Sequence, residues 1–235
     1  MKIGDNNKAQ RIRNMFASIV PRYDTINTLM TLGLDRRWRR ETVAMAEPHG
    51  AVGLDIATGT GELALEMIRQ DARTVVAADF CIEMVQSAVR KIEALGLDGR
   101  VAFAAGDAMR LPFADATFDF VVNGFMLRNV ADLSATFREL CRVLKPGGRL
   151  VCLDLTPPRG PTRRFFGLYI ATVVPLLGTV VGGNYGAYRY LFQSLSVHVD
   201  ADRLCEMMRA AGFAQATYKI TGFGTVAIHL GRKTG

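Results

Sequence analysis

The sequence predicts an α/β fold built on a mostly parallel, seven-stranded sheet whose last strand is antiparallel, with helical N-terminal and cap elements added to it. Three observations predict it. From residue 51 onward, short and nearly continuous apolar runs alternate with amphipathic helical segments, the pattern of parallel strands covered on both faces by their connecting helices. Near the C-terminus two further strand-length runs are joined by a short link containing Gly222 and Gly224, which reads as an antiparallel hairpin. The chain has 235 residues, 49% hydrophobic and 22% charged, so it is long enough for one well-buried α/β domain, short for two, and not disordered in composition.

Taken in order, residues 1–46 form N-terminal helices. Ile19, Ile26, Leu29, Met30, Leu34, Trp38 and Val43 recur at roughly helical spacing, with Pro21 and Gly33 as punctuation and a turn near 31–33. The core spans 51–156. Its strands are expected at 52–57, 74–79, 101–106, 118–124 and 149–155, and its helices at 62–70, 82–95 and 132–144. Residues 157–199 read as an apolar cap insertion. Within it, 165–181 carry no charge, but Gly167, Pro175 and Gly178 interrupt them, which favours a cap helix over an apolar pocket above a membrane span. Partial insertion into a membrane interface is compatible with that cap. A helix at 200–211, ended by Gly212, and the strands 213–220 and 225–231 complete the domain, 1–235.

The net charge of +7 collects at Arg11–Arg13, Arg36–Arg40 and Arg159–Arg164. No basic stripe interleaved with stacking aromatics runs through the chain, so nucleic acid is not an expected partner. The third cluster borders the apolar segment, which favours peripheral contact with a membrane surface. Cys81, Cys141, Cys152 and Cys205 are widely spaced without a C-x-x-C pair, which argues against disulfides and zinc and for a reducing compartment. The first residues lack the apolar run of a signal peptide, so a cytoplasmic protein is expected, peripheral at the inner face of the membrane. No group of His, Cys and carboxylates has ligand spacing, and no metal is expected.

The sharpest local signal is Asp55-Ile-Ala-Thr58-Gly59-Thr60-Gly61-Glu62, directly after a strand and directly before a helix. Glycines there permit positive φ and close approach of a ligand, and the helix start offers N–H groups to an anionic group. Twenty residues past Gly59, Asp79 ends the second strand, where a carboxylate accepts from ribose hydroxyls. Gly59-x-Gly61-x-x-Ala64 also satisfies the dinucleotide pattern, so a nicotinamide cofactor remains open on this loop alone.

The rest of the core distinguishes the two. Ala105-Gly-Asp107-Ala108 follows the third strand, then Leu111-Pro-Phe113, Phe118-Asp119, the fourth strand ending in Asn123-Gly124, and Leu144-Lys-Pro-Gly-Gly148 before the fifth. This ordered set resembles the class I S-adenosylmethionine-dependent methyltransferases, a Rossmann-like family. The resemblance implies that S-adenosylmethionine is the cofactor. Its methionine part would meet Asp55, Thr58, Gly59, Thr60 and Gly61, its ribose Asp79 and Phe80, and its adenine Asp107 and Ala108, with Asn123 and Gly124 completing the site.

Flanking segments narrow the resemblance. Met15–Asp24, Asn27, Leu32–Arg40, Phe125-Met-Leu-Arg128-Asn129-Val130 with Asp132, Tyr188–Leu191 and Val226–Gly231 look like the UbiE/MenG family, C-methyltransferases that complete the rings of ubiquinone and menaquinone. The likeness covers about residues 11–233. Met126 stands where the family usually has glycine, Glu62 where it has aspartate, and Thr221–Thr225 only approximates its final turn. Met126 bears most on the acceptor, because its side chain narrows or reshapes that pocket.

The resemblance implies methylation of a prenylated demethylquinol at a ring carbon, and it gives Arg128, Asn129 and Tyr23 the catalytic roles. Arg128 would stabilise a phenolate, Asn129 would position an oxygen, and Tyr23 would relay a proton directly or through water. Of the histidines, His49 reads as solvated and His229 as a structural residue of the last strand. His198 is a weaker candidate to face the acceptor, and the base stays unnamed. An N- or O-methyltransferase of another lipophilic acceptor is the alternative enzyme, a non-catalytic scaffold for the cofactor the alternative class, and a homodimer is compatible with either.

Overall fold

The computed structural model describes residues 3–158 and 199–235. Three helices come first, α1 (Ile3–Ile19), α2 (Tyr23–Met30) and α3 (Leu34–Ala46). A 3-10 turn at Val20–Arg22, opened by Pro21, divides α1 from α2. Pro21 lacks the N–H that an uninterrupted helix would use there.

Strands and helices then alternate: β1 (Val52–Ile56), α4 (Glu62–Arg69), β2 (Thr74–Asp79), α5 (Ile82–Ala94), β3 (Val101–Ala105), β4 (Phe118–Gly124), α6 (Leu133–Val143) and β5 (Leu144–Leu155). Beyond residue 198 come α7 (Ala201–Ala210), β6 (Phe213–Thr221) and β7 (Val226–Lys233). Each expected strand and helix of the described residues is present, with ends shifted by a few residues. The largest shift is at β5, which starts at Leu144 rather than 149: Leu144 pairs with Phe118, the chain bulges through Gly147 at φ +75°, and regular pairing resumes at Arg149.

The described residues form one seven-stranded sheet in the order β3-β2-β1-β4-β5-β7-β6. β7 runs antiparallel to both its neighbours and the other pairings are parallel, as expected from the sequence. One face buries Leu54, Val121, Cys152 and Leu150 under Phe137 and Leu140 of α6 and Leu204 and Met208 of α7. The other buries Phe120, Val122, Val151 and Ile228 under Trp38 and Val43 of α3, Met67 of α4 and Ile92 of α5. From β1 the chain winds outward to β3 and then returns to β4 on the other side of β1. That reversal opens a crevice at the carboxyl ends of β1 and β4, where ligands of such sheets bind.

The expected cap over 165–181, the segment Tyr188–Leu191, His198 and the arginines Arg159, Arg163 and Arg164 lie outside the described residues. Among the described residues no helix is long and apolar enough to cross a membrane.

Candidate active site

The crevice is a cleft with about 970 Å³ of free space, the open mouth included. Its floor is the glycine loop after β1. Ala57, Gly59 and Gly61 all take positive φ (+58°, +56° and +85°), so the chain turns sharply between strand and helix, and glycine accommodates that turn at two of the three positions. Two aspartates fix the loop from opposite sides. Asp55, fully buried, accepts from the Thr58 hydroxyl at 2.6 Å and from the Ala64 N–H at 2.9 Å. It thereby caps α4, whose own N-cap, Gly61, has no side chain to do so. Asp79 accepts from the Gly59 N–H at 2.8 Å and, through its other oxygen, from the Cys81 N–H at 2.8 Å.

Both carboxyls titrate above the ordinary range because they are buried. In Asp55 burial outweighs the bonds from Thr58 and Ala64 and lifts the group to about 7. In Asp79 burial likewise raises it against the bonds from Cys81, Gly59 and Phe80. Their positions differ, however. Asp79 lines the cleft, with Phe80 beside it 47% exposed despite its size. Asp107 and Ala108 line it from the end of β3, and Asp107 shapes its own turn by accepting from the Met109 N–H at 2.9 Å. Gly59 and Gly124 complete the wall. Asp55, Thr58, Thr60, Gly61 and Asn123 stand behind it: Thr60 donates to Asp24 of α2, and Asn123 donates to the Cys152 sulfur.

The opposite wall comes from α1, α2 and the loop after β4. Ile12, Arg13 and Phe16 project from α1, and Tyr23 opens α2 close to Gly59, with Phe16 edge-on to its ring at 6.1 Å. Burial raises the Tyr23 hydroxyl above its usual pKa, although the nearby Arg128 and Arg39 pull it down, so the phenol stays protonated. After β4 the chain turns at Phe125, a non-glycine residue at φ +58°, and presents Phe125, Met126, Asn129 and Val130 to the cleft. Met126 is 4% exposed and packs into the core as well, so its side chain shapes the wall.

Arg128 is placed differently. Its side chain is 6% exposed and does not line the cleft. It donates to Asp154 at 2.7 Å and lies over the Phe125 ring, 5.4 Å from the centroid. Its charge is thus compensated inside the wall. His49 is exposed near Asp71, whereas His229 is buried, with Nε2 3.2 Å from the Ala201 carbonyl.

Two groups that hold the site, Lys91 and Asp154, were not singled out from the sequence. Lys91 of α5 donates to Asp24 and to Glu62, both at 2.7 Å, and Asp24 also accepts from Thr60 at 2.5 Å. This clamp ties α2 to the glycine loop across 36 and 67 residues of sequence separation, which no local pattern encodes. Asp154, a lone carboxylate in the apolar run of β5, carries a signal that could have been read: a buried charge in a strand requires partners.

Buried polar atoms without a partner among the described residues concentrate here as well. They include Asn27 Nδ2, Asp55 Oδ1, Asn123 Oδ1, Arg128 Nε and Asn129 Oδ1.

The profile of the ubiE/COQ5 methyltransferase family matches residues 4–233. A demethylmenaquinone methyltransferase of Roseiflexus sp. is 42% identical over 97% of this chain and 95% of its own. A ubiquinone/menaquinone biosynthesis C-methyltransferase UbiE of Desulfotalea psychrophila is also 42% identical, over 96% and 92%. Among solved structures, a SAM-dependent methyltransferase from Aquifex aeolicus superposes with a TM-score of 0.64 at 19% identity, over 89% of this chain and 97% of that one, which is a likeness of fold.

Proposed function

The chain belongs to the ubiE/COQ5 methyltransferase family and is an S-adenosylmethionine-dependent methyltransferase, and we propose that it methylates a ring carbon of a prenylated demethylquinol, first of all a demethylmenaquinol. The observation that carries this reading is one cleft with two unlike walls. Asp79, Phe80 and Asp107 at the strand ends face Tyr23, Met126 and Asn129.

The first wall fits the cofactor. Asp79 and Asp107 offer carboxylate oxygens to ribose hydroxyls and to an adenine amino group, Phe80 offers an exposed ring to the base, and the Gly59 backbone has no side chain in the way. A buried polar atom left without a protein partner costs about 1–3 kcal/mol, so Asn129 Oδ1, which is such an atom on a residue lining the cleft, supports a polar ligand there. S-adenosylmethionine supplies an electrophilic methyl group on a sulfonium.

The second wall fits an aromatic acceptor. A quinol carbon becomes nucleophilic when an adjacent hydroxyl loses its proton to water at the cleft mouth; the carbon then gains the methyl group and gives up its own proton, again to water, to restore the ring. The Tyr23 phenol, kept neutral by burial, donates a hydrogen bond to the developing phenolate. Asn129 Oδ1, buried and unpartnered, accepts from the ring's second hydroxyl. Phe16, Met126 and Val130 exclude water from the reacting carbon. Arg128, paired with Asp154, contributes through the shape of its loop rather than as a free cation.

Methyl-labelled cofactor with chemically reduced demethylated naphthoquinols and benzoquinols tests the reading. Label on a naphthoquinol ring carbon is expected. Label found only on a nitrogen or oxygen acceptor would overturn it.

The same substrate class fits two exposed apolar turns outside the cleft lining. Leu32, 81% exposed, and Leu29 stand at the α2–α3 turn, and Phe223, 81% exposed, stands at the β6–β7 turn. Gly222 packs against Trp38 of α3, which brings that turn beside α3, and Arg36 and Arg37 are exposed on the same helix. Apolar tips flanked by cations suit shallow insertion into an anionic bilayer, where a prenylated quinol resides. Replacing Leu32 and Phe223 with serine is expected to weaken co-flotation with anionic vesicles at least about tenfold, since shallow insertion realises only part of the about 1.5–3 kcal/mol that full burial of each side chain contributes. Unchanged co-flotation would remove these two tips from the contact.

A further inference from the structure

We infer that Asp154 is a positioning residue for methyl transfer: it sets the conformation of the loop after β4 that forms the acceptor wall. The inference rests on the reading of that wall given above, and it assigns a role to a residue outside the cleft.

Asp154 is the penultimate residue of β5, is 0% exposed and pairs in register with Ala227 of β7, one residue beyond the last β4–β5 pair, Gly124 with Leu153. Its two oxygens receive three bonds. Oδ2 accepts from the Leu127 N–H at 2.8 Å; Oδ1 accepts from Arg128 Nη1 at 2.7 Å and from the Leu155 N–H at 2.8 Å. Two of these three donors lie in the 125–130 loop. Just before them the Phe125 N–H donates to the Leu153 carbonyl at 2.7 Å, and just after them the Asn129 N–H donates to the Met126 carbonyl at 2.8 Å. The loop is therefore pinned to β5 at Phe125, Leu127 and Arg128. The residues that line the cleft, Phe125, Met126, Asn129 and Val130, alternate with those pins or follow them.

The turn needs pinning because Phe125 sits at φ +58°, a region a bulky L-residue leaves unless its surroundings hold it. A carboxylate suits the place for two reasons. It accepts from two directions at once, which an amide, with one oxygen and one donor group, does not. It also compensates the Arg128 charge, which would otherwise be buried unpaired at 6% exposure. Charge compensation alone is a packing role; fixing the Leu127 amide moves the reacting wall.

Asp154→Asn tests the pin. Whichever way the amide is turned, at least one of the present donors faces its NH2 group, so the loop shifts. A shift of about 1 Å at a reacting geometry lowers the rate by about 100-fold. We expect kcat with the quinol to fall about 10- to 100-fold, while the dissociation constant for S-adenosylhomocysteine, held by β1, β2 and β3, changes less than about threefold. A wild-type kcat, or a loss of cofactor affinity as large as the loss of rate, overturns the inference. Should that variant not fold, Asp154→Glu keeps a carboxylate for Arg128 but displaces it from the Leu127 N–H by one methylene; a wild-type rate there overturns the inference. Hydrogen exchange in the native protein needs no variant. The Leu127 amide is expected to exchange as slowly as the amides of β4, and exchange at the rate of an open loop overturns the inference. Amide exchange and cofactor binding are read without any quinol, so failure of the substrate assignment is distinguishable from failure of this one.

Discussion

Asp55 and Asp79 look alike in the sequence, each an aspartate closing an apolar strand, yet the fold gives them different surroundings. Asp79 lines the cleft and holds Gly59, whereas Asp55 is sealed beneath the glycine loop as the remote cap of α4. Burial lifts Asp55 to about 7 from an unfolded value near 3.8, so between those values the folded state holds a proton the unfolded state has lost. Stability from this group is full below about pH 4 and falls as pH rises towards 7, by a few kcal/mol at most. Asp55→Asn is expected to lose that slope, so thermal melts of the two proteins converge, or cross, between pH 5 and pH 8; parallel curves would mean that Asp55 is ionised throughout. Tyr23 is a test of chemistry instead. Removing its hydroxyl with Tyr23→Phe is expected to lower kcat about 100-fold with cofactor affinity unchanged within about threefold, if the hydroxyl donates to the acceptor's oxygen as proposed. An equal fall in cofactor affinity would move Tyr23 to the other wall of the cleft.

Among the elements, the N-terminal helices depend most on distant partners. α1 and α2 supply Phe16 and Tyr23 to the cleft, and the Asp24–Lys91–Glu62 clamp joins α2 to both α4 and α5. Lys91 is 27% exposed, so water screens each pair, and together they contribute about 1 kcal/mol. Their greater effect is on geometry. Lys91→Met is expected to raise the KM for the cofactor several-fold and to speed proteolysis within residues 3–30, with a melting loss of only a few degrees; an unchanged KM would show that α2 stays in place without the clamp. α6 is a contrasting case of local encoding. Asp132, noted as part of the family-like motif, caps it by accepting from the Ala135 N–H at 2.9 Å, and the signal of a polar residue before an apolar helical run was present in the sequence.

On the scale of the whole molecule, the cleft joins the glycine loop, the ends of β2, β3 and β4, and α1 with α2, so one ligand bridges elements spread from Ile12 to Ala131. A ligand that binds only the folded state at 100 times its dissociation constant adds about 2.7 kcal/mol. For a chain of this size S-adenosylhomocysteine is therefore expected to raise the melting temperature by roughly 8 °C, checked by calorimetry across a concentration series. No shift at saturation would show that the cleft does not take the cofactor.

The strand and helix order, the antiparallel last strand, the glycine loop and Asp79 were legible in the sequence. Hydrophobic period, turn residues and the β–α spacing are local quantities, and the chain displays them directly. Three-dimensional packing decided the rest. It buried Asp55 and left Asp79 at the cleft, although their local sequences differ little. It paired Arg128 with Asp154 across 26 residues, a partner that no local pattern announced. It brought Asp24, Thr60, Glu62 and Lys91 together from three separate elements. Burial, charge compensation and the sharing of one carboxylate among several donors depend on which distant segments meet, and these are set by the assembled sheet rather than by any stretch of residues read alone.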